Sequence, residues 1–280
     1  MNYHDNQWIM EQICRHYNYA LTLYEKSQIV GVFCQGSQNY GLDIETSDID
    51  TKCILTPTFR DIALAKKAIS TTNILDNNEH LDAKDVRLYC QCFQKQNLNF
   101  LEILFTNYAI INPLYVVQWE RLILERERIA RMNPNRAVRS MKGVAMEKFH
   151  AMEHPYPSKL DILEKYLYDG KQTHHLLRIE EYLERYIAGE PYADCLIPKP
   201  SNIERLLNYK KQLIPVELAR EEAKKSLSHV IEMADAFCEK VEEKENVEMR
   251  ELLEDVTYNI MKIAVQQELG KIISSYNDDI

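Results

Sequence analysis

The apolar positions at the start of the chain switch period within thirty residues. Trp8, Ile9, Ile13, Tyr17, Ala20, Leu21 and Tyr24 recur at helical spacing, which predicts a helix over residues 4–26. Residues 28–35, QIVGVFCQ, are a short β-branched apolar run ending at Gly36, as a buried strand is. Residues 49–55 predict a second strand, stopped by Pro57, and residues 59–69 a helix. The polar stretch 73–79 reads as turns and residues 80–84 as a third short strand. Asp85 stands in the N-cap position of a periodic helix that runs from Val86 to near Lys95. Asn97-Leu98-Asn99 breaks that helix before the run LEILF.

From Pro113 onward strand signals nearly vanish. Amphipathic stretches cover 113–132, 136–152, 158–188, 201–211, 216–244 and 247–275. Asn133-Pro134, Pro155-Tyr156-Pro157, Gly189-Glu190-Pro191 and Pro198-Lys199-Pro200 punctuate them. The pattern predicts an α+β protein: a small mixed sheet with helices over residues 1–112, then a mostly helical domain over 113–280. A length of 280 residues accommodates both.

Composition narrows the functional classes. No apolar run approaches the ~20 residues of a membrane span. The N-terminus lacks a basic segment followed by an apolar one, so no secretory signal is expected. Seven cysteines without a Cys-x-x-Cys pair predict reduced thiols and a cytoplasmic protein. A net charge of −9 argues against a broad nucleic-acid surface. Residues 121–159 nevertheless carry nine Arg or Lys against four Glu. That segment is either an anion-binding stretch or a solvated helix face with mixed charge pairs.

Gly36 to Asp50 holds the densest chemistry. A Gly36-Ser37 turn supplies backbone N–H groups and a hydroxyl for phosphate oxygens. Asp48 and Asp50 supply hard oxygen ligands for Mg²⁺. At positions i and i+2 of a strand both carboxylates share a face, and a divalent cation relieves their repulsion. Two Mg²⁺ ions about 3.5–4 Å apart would activate an acceptor oxygen and neutralise leaving pyrophosphate. The third carboxylate of such a site is Asp82, within the predicted strand, or Asp85, which also reads as a helix cap. Tyr40 either stacks on a base or pins the loop. Glu102 is a catalytic group or a buried pairing partner, and Lys52 a phosphate contact or an exposed strand-end lysine. Lys171, His174 or His175, and Arg178 fall on one helical face, suited to triphosphate or acceptor, or to ordinary surface and core roles. P-loop, Gly-x-Ser-x-Gly and His-Glu-x-x-His segments are absent from the sequence.

Gly36-Ser37, ten residues, then Asp48-Ile49-Asp50 resembles the signature of the DNA polymerase beta-like nucleotidyltransferase superfamily. Tyr40-Gly41-Leu42, Ser47, the segment Asn97–Leu104 and the segment Asp169–Arg178 extend the resemblance to the predicted bacterial and phage nucleotidyltransferases, over residues 30–186. The resemblance implies that Gly36 and Ser37 contact β- and γ-phosphates and that Asp48 and Asp50 hold metal, with the third acidic residue, Asp82 or Asp85, helping to activate the nucleophile. It implies a nucleoside triphosphate donor, ATP by default, and release of pyrophosphate. The acceptor is left open among a small molecule, an RNA end and a protein, the last as in antitoxin-like AMP transferases. A catalytically silent nucleotide-binding regulator is the alternative. The long C-terminal helices leave pairing with a second copy open.

Overall fold

The apolar runs at 28–35 and 49–55 become the centre of a five-stranded mixed sheet. The computed structural model describes residues 2–278, with side chains from Asn2 to Lys271. Its elements begin with α1 (Asn6–Leu23), β1 (Ile29–Gln35), β2 (Asp50–Leu55), α2 (Phe59–Ala63), β3 (Ser70–Ile74) and β4 (His80–Asp85). There follow α3 (Val86–Gln94), α4 (Leu98–Leu101), β5 (Ala109–Ile111), α5 (Val116–Leu124) and α6 (Arg126–Ala130). The strand order is β3-β4-β2-β1-β5. β1 is antiparallel to β2 and β5, β4 is antiparallel to β3, and β2 runs parallel to β4.

Both faces of the central strands are covered, which is why β1 reads as a continuous apolar run rather than an alternating one. Ile9, Ile13 and Ala20 of α1 pack on Val32, Cys34, Cys53, Leu55 and Leu81 on one side. On the other side Val86 and Phe93 of α3, Trp119 of α5 and Leu253 and Val256 close over Val30 and Ile54. Leu253 and Val256 belong to α13 (Val247–Asp278).

The units therefore divide differently from the expected 112/113 boundary. One comprises Met1–Met132 with Asn246–Ile280, the other Asn133–Glu245. The physical reason is the apolar face of the sheet, which needs α5, α6 and the returning α13 to cover it. The second unit contains α7 (Pro134–Ala151), α8 (Leu160–Tyr166), α9 (Gly170–Ile187), α10 (Tyr192–Leu196), α11 (Pro200–Lys210) and α12 (Val216–Lys240). α7, α9 and α12 pack on one another. Ala219, Ala223 and Ala234 on α12 are buried and small enough to let the helices approach closely.

Several local expectations change. The helix expected over 59–69 lasts only one turn, because Ala65 takes a left-handed φ of 49°. β3 was hidden by its exposed, Thr-rich edge position, and β5 by its length of three residues. The stretch 158–188 is broken at Leu167, with φ of 65°, before α9 starts at a new cap, Asp169. Asp85 does cap α3, accepting from Arg87 N–H at 2.8 Å.

Candidate functional site

The β1–β2 register places Gln35 opposite Asp50. The end of β1, with Gly36 and Ser37, and the entry to β2, with Asp48, Ile49 and Asp50, thus lie at the same edge of the sheet. Gly36 adopts φ 103° and ψ −153°. An added Cβ there would meet nothing nearer than Gln38 Oε1 at 3.8 Å, so glycine is required by the backbone and not by space. Tyr40 and Leu42 N–H both donate to the Ser37 carbonyl at 3.1 Å, closing the turn. The buried Gln38 amide donates to the Asp48 carbonyl at 2.8 Å and ties the turn to the Asp-Ile-Asp segment. At the far end of the loop, buried Asp43 accepts from Tyr3 and His4 N–H at 3.0 and 2.9 Å.

β2 begins at Asp50, one residue later than expected, so Asp48 lies before the strand. The strand's alternation still reaches it: Asp48 is exposed, Ile49 fully buried, Asp50 half-buried. Both carboxylates are therefore turned away from the core. Among the described residues, the Asp48 carboxylate and the Ser37 hydroxyl make no hydrogen bond. Asp50 accepts through Oδ1 alone, from His80 N–H at 2.9 Å and with His80 Nδ1 at 3.1 Å.

Asp82 is placed differently. It pairs in register with Lys52, two positions beyond Asp50 on the same face. Its Oδ2 lies 3.2 Å from Lys52 Nζ and its Oδ1 2.7 Å from Lys84 Nζ. Lys52 is no exposed strand-end lysine: it is 3% exposed and sits over the Phe100 ring, 4.2 Å from the centroid. Burial lowers its pKa, and the Asp82 carboxylate opposes that shift. Asp85 is buried, caps α3 and pairs with Arg87 at 2.6 Å, so its carboxylate is committed to the helix.

Two residues that the sequence reading passed over hold the Asp-Ile-Asp segment. They are Glu79 and His80, at the mouth of β4. Glu79 Oε1 accepts Ile49 N–H at 3.1 Å, and its other oxygen meets Arg15 and His16. Burial alone would raise the Glu79 pKa, but the donors from His16, Asn77, Arg15 and Ile49 outweigh it and hold the carboxyl at about 2. The sequence signal was weak, since Glu79 stands in a polar turn. Tyr40, for which base stacking and pinning of the loop were both open, is only 4% exposed, in keeping with the pinning role. Glu102 is also buried. Burial raises the Cys34 thiol pKa, and the carboxylates of Glu102, Asp50 and Asp43 raise it further.

In the second unit the proposed cationic face is not presented as expected. Lys171 is exposed and His175 is half-buried. Burial of its ring first, and then the nearby cations Arg178 and Lys171, lower the His175 pKa well below the usual value. Arg178 is 7% exposed and donates to the Leu196 carbonyl at 3.3 Å. The basic segment 121–159 follows the mixed-charge alternative. Arg121, Arg128, Arg136, Arg139 and Lys142 each meet a carboxylate of their own unit.

Among the described residues no group of three or more His, Cys, Asp or Glu is placed to hold a metal ion. Mg²⁺, however, is ordinarily bound by one or two carboxylates together with substrate phosphates and waters. Asp48 and the unengaged oxygen of Asp50, both turned from the core, are the donors that would hold one such cation. A second ion has no third carboxylate while Asp82 stays between Lys52 and Lys84. No helix among the described residues is long and apolar enough to cross a membrane.

No protein-family model matches the chain, and no curated protein matches it. Among the solved structures that match is a nucleotidyltransferase-like protein from Exiguobacterium sibiricum 255-15, at 11% identity and a TM-score of 0.29, covering 81% of this chain and 75% of that one. The chain's own residues therefore carry the functional reading.

Proposed function

We propose that the chain is a Mg²⁺-dependent nucleotidyltransferase that moves a nucleoside monophosphate from a nucleoside triphosphate, ATP by default, to an acceptor. The observation that carries this reading is the β1–β2 register: it brings the Gly36-Ser37 turn and the Asp48-Ile49-Asp50 segment to one edge. The turn offers N–H groups and a free hydroxyl to phosphate oxygens. Asp48 and Asp50 would hold the cation, which supplies charge neutralisation at the phosphates. Asp82 would join them only by leaving Lys52 and Lys84. The acceptor is a small molecule, an RNA end or a protein.

The hold of Lys52 and Lys84 on Asp82 favours one second reading, a nucleotide-binding regulator without transfer. One experiment separates the two. Wild type and the Asp48→Ala/Asp50→Ala variant are incubated with Mg²⁺, each α-labelled nucleotide, and small RNA, total protein or a metabolite extract. Transfer predicts label in one fraction with wild type alone. Nucleotide binding without label in any fraction would favour the regulator.

A further inference from the structure

We infer that Glu79 is a positioning residue that sets the backbone between Asp48 and Asp50. The inference rests on the cation-binding reading of those two aspartates. Three observations carry it. Ile49 is fully buried, so its N–H cannot turn to water, and Glu79 Oε1 accepts it at 3.1 Å. The next residue, His80, which opens β4, donates its N–H to Asp50 Oδ1 at 2.9 Å. Consecutive residues entering β4 thus take consecutive groups of the Asp-Ile-Asp segment. Behind them His16, fully buried on α1, places Nε2 2.9 Å from Glu79 Oε2 and Nδ1 2.8 Å from Thr51 Oγ1. A carboxylate only accepts, so His16 Nε2 carries the hydrogen.

Glu79 is 4% exposed and meets Arg15 as well as His16. A buried ion pair of this kind adds little net stability compared with apolar packing. What it adds here is geometry. A glutamate accepts from Ile49 with one oxygen and from α1 with the other. The helix, β4 and the entry to β2 are thereby locked together, while the carboxylates of Asp48 and Asp50 stay turned outward. Outer partners that orient ligands typically change metal affinity about 10–100-fold when removed.

The test uses the full chain and Mn²⁺ as probe, with free ion followed by electron paramagnetic resonance and melting followed in parallel. Glu79→Ala is expected to weaken Mn²⁺ binding about tenfold. Glu79→Gln keeps an acceptor for Ile49 N–H but turns an amide donor toward Arg15 and His16. It should lose as much melting temperature as Glu79→Ala yet keep Mn²⁺ affinity within about twofold of wild type, a separation that a purely structural role would not produce. Affinity falling in step with stability in both variants overturns the inference. So does a Glu79→Ala chain that binds like wild type while Asp48→Asn/Asp50→Asn does not, an outcome that leaves the proposed function standing. Wild type binding no better than Asp48→Asn/Asp50→Asn overturns both. Should Glu79→Ala fail to fold, hydrogen exchange on wild type decides: Ile49 N–H must be protected, and exchange as fast as at exposed Glu45 and Thr46 overturns the inference.

Discussion

The segments Gly36–Asp50 and Asp169–Arg178 were both expected to contribute to a nucleotide site, yet the fold uses their polar groups in opposite ways. In the first, the turn and the strand entry are held through backbone groups and buried partners such as Gln38 and Glu79. Ser37 and Asp48 are left outward. In the second, Asp169, His174 and Arg178 are taken up by the second unit's own packing, and Lys171 alone stays exposed. Asp169 caps α9 through Lys171 N–H at 2.9 Å and pairs with Lys159 at 3.2 Å. Gly170 lies so close to the Tyr209 carbonyl and Gln212 that a Cβ would collide with both. His174 bonds the Leu206 carbonyl at 2.9 Å and Arg178 that of Leu196. A sequence motif can therefore mark a site or a packing joint, and the partner of each polar atom tells which.

The largest effect that sharpens this contrast is at Asp50. Asn keeps a carbonyl oxygen for His80 N–H but loses the charge. Asp50→Asn is expected to cut nucleotidyl transfer by at least about a hundredfold, near 3 kcal/mol in barrier, with an unchanged melting temperature. Normal turnover would remove the first segment from the site. Gly170→Ala should do the reverse: a stability loss of roughly 1–3 kcal/mol from overpacking, and Mn²⁺ affinity as in wild type. A stable Gly170→Ala chain with impaired Mn²⁺ binding would undo the comparison.

His174 extends the contrast to pH. Burial lowers its pKa to about 3, partly offset by the bond to Leu206. The unfolded chain takes up this proton near the ordinary value of 6.5, whereas the folded chain resists it down to about 3. Stability is thus fully present above pH 6.5 and is lost as pH falls toward 3, by up to about 1.4 kcal/mol per unit. His174→Gln should reduce the pH slope of denaturant midpoints measured over that window, the remainder coming from His175, whose pKa is lowered as well. An unchanged slope would mean that the imidazole is solvated.

How far the site was legible follows from the same accounting. The Gly36-Ser37 turn and the two aspartates could be read directly, because left-handed φ and paired carboxylates leave a residue-type signature. The central strands were legible from their apolar runs. The edge strands β3 and β5 were not, since an exposed or three-residue ladder needs no apolar pattern. Nor was Lys52's burial, which depends on Phe100 and Asp82 arriving from other elements. Glu79 was hidden for a similar reason. Its partners come from α1 and β2, far away in sequence, while its own neighbours read as a turn. Helical spacing put Lys171, His175 and Arg178 on one face but could not say which part of that face is buried.

Those last residues give the smallest and most discriminating effect. Arg178 is interior and donates to a main-chain carbonyl, so Arg178→Met leaves that acceptor unmet and should cost about 1–3 kcal/mol. Lys171 is exposed, and Lys171→Ala should change stability by no more than about 0.5 kcal/mol. If α9 is a packing joint, neither variant changes ATP affinity by more than about twofold, near 0.4 kcal/mol. Calorimetry with ATP and thermal melts on the same preparations separate the two quantities. A Lys171→Ala chain that melts like wild type but binds ATP several-fold more weakly would show that α9 is more than a packing joint. The burial of Arg178 would then support such a role rather than exclude it, because an arginine anchored two turns beyond Lys171 fixes the rotation of the helix on which that lysine stands.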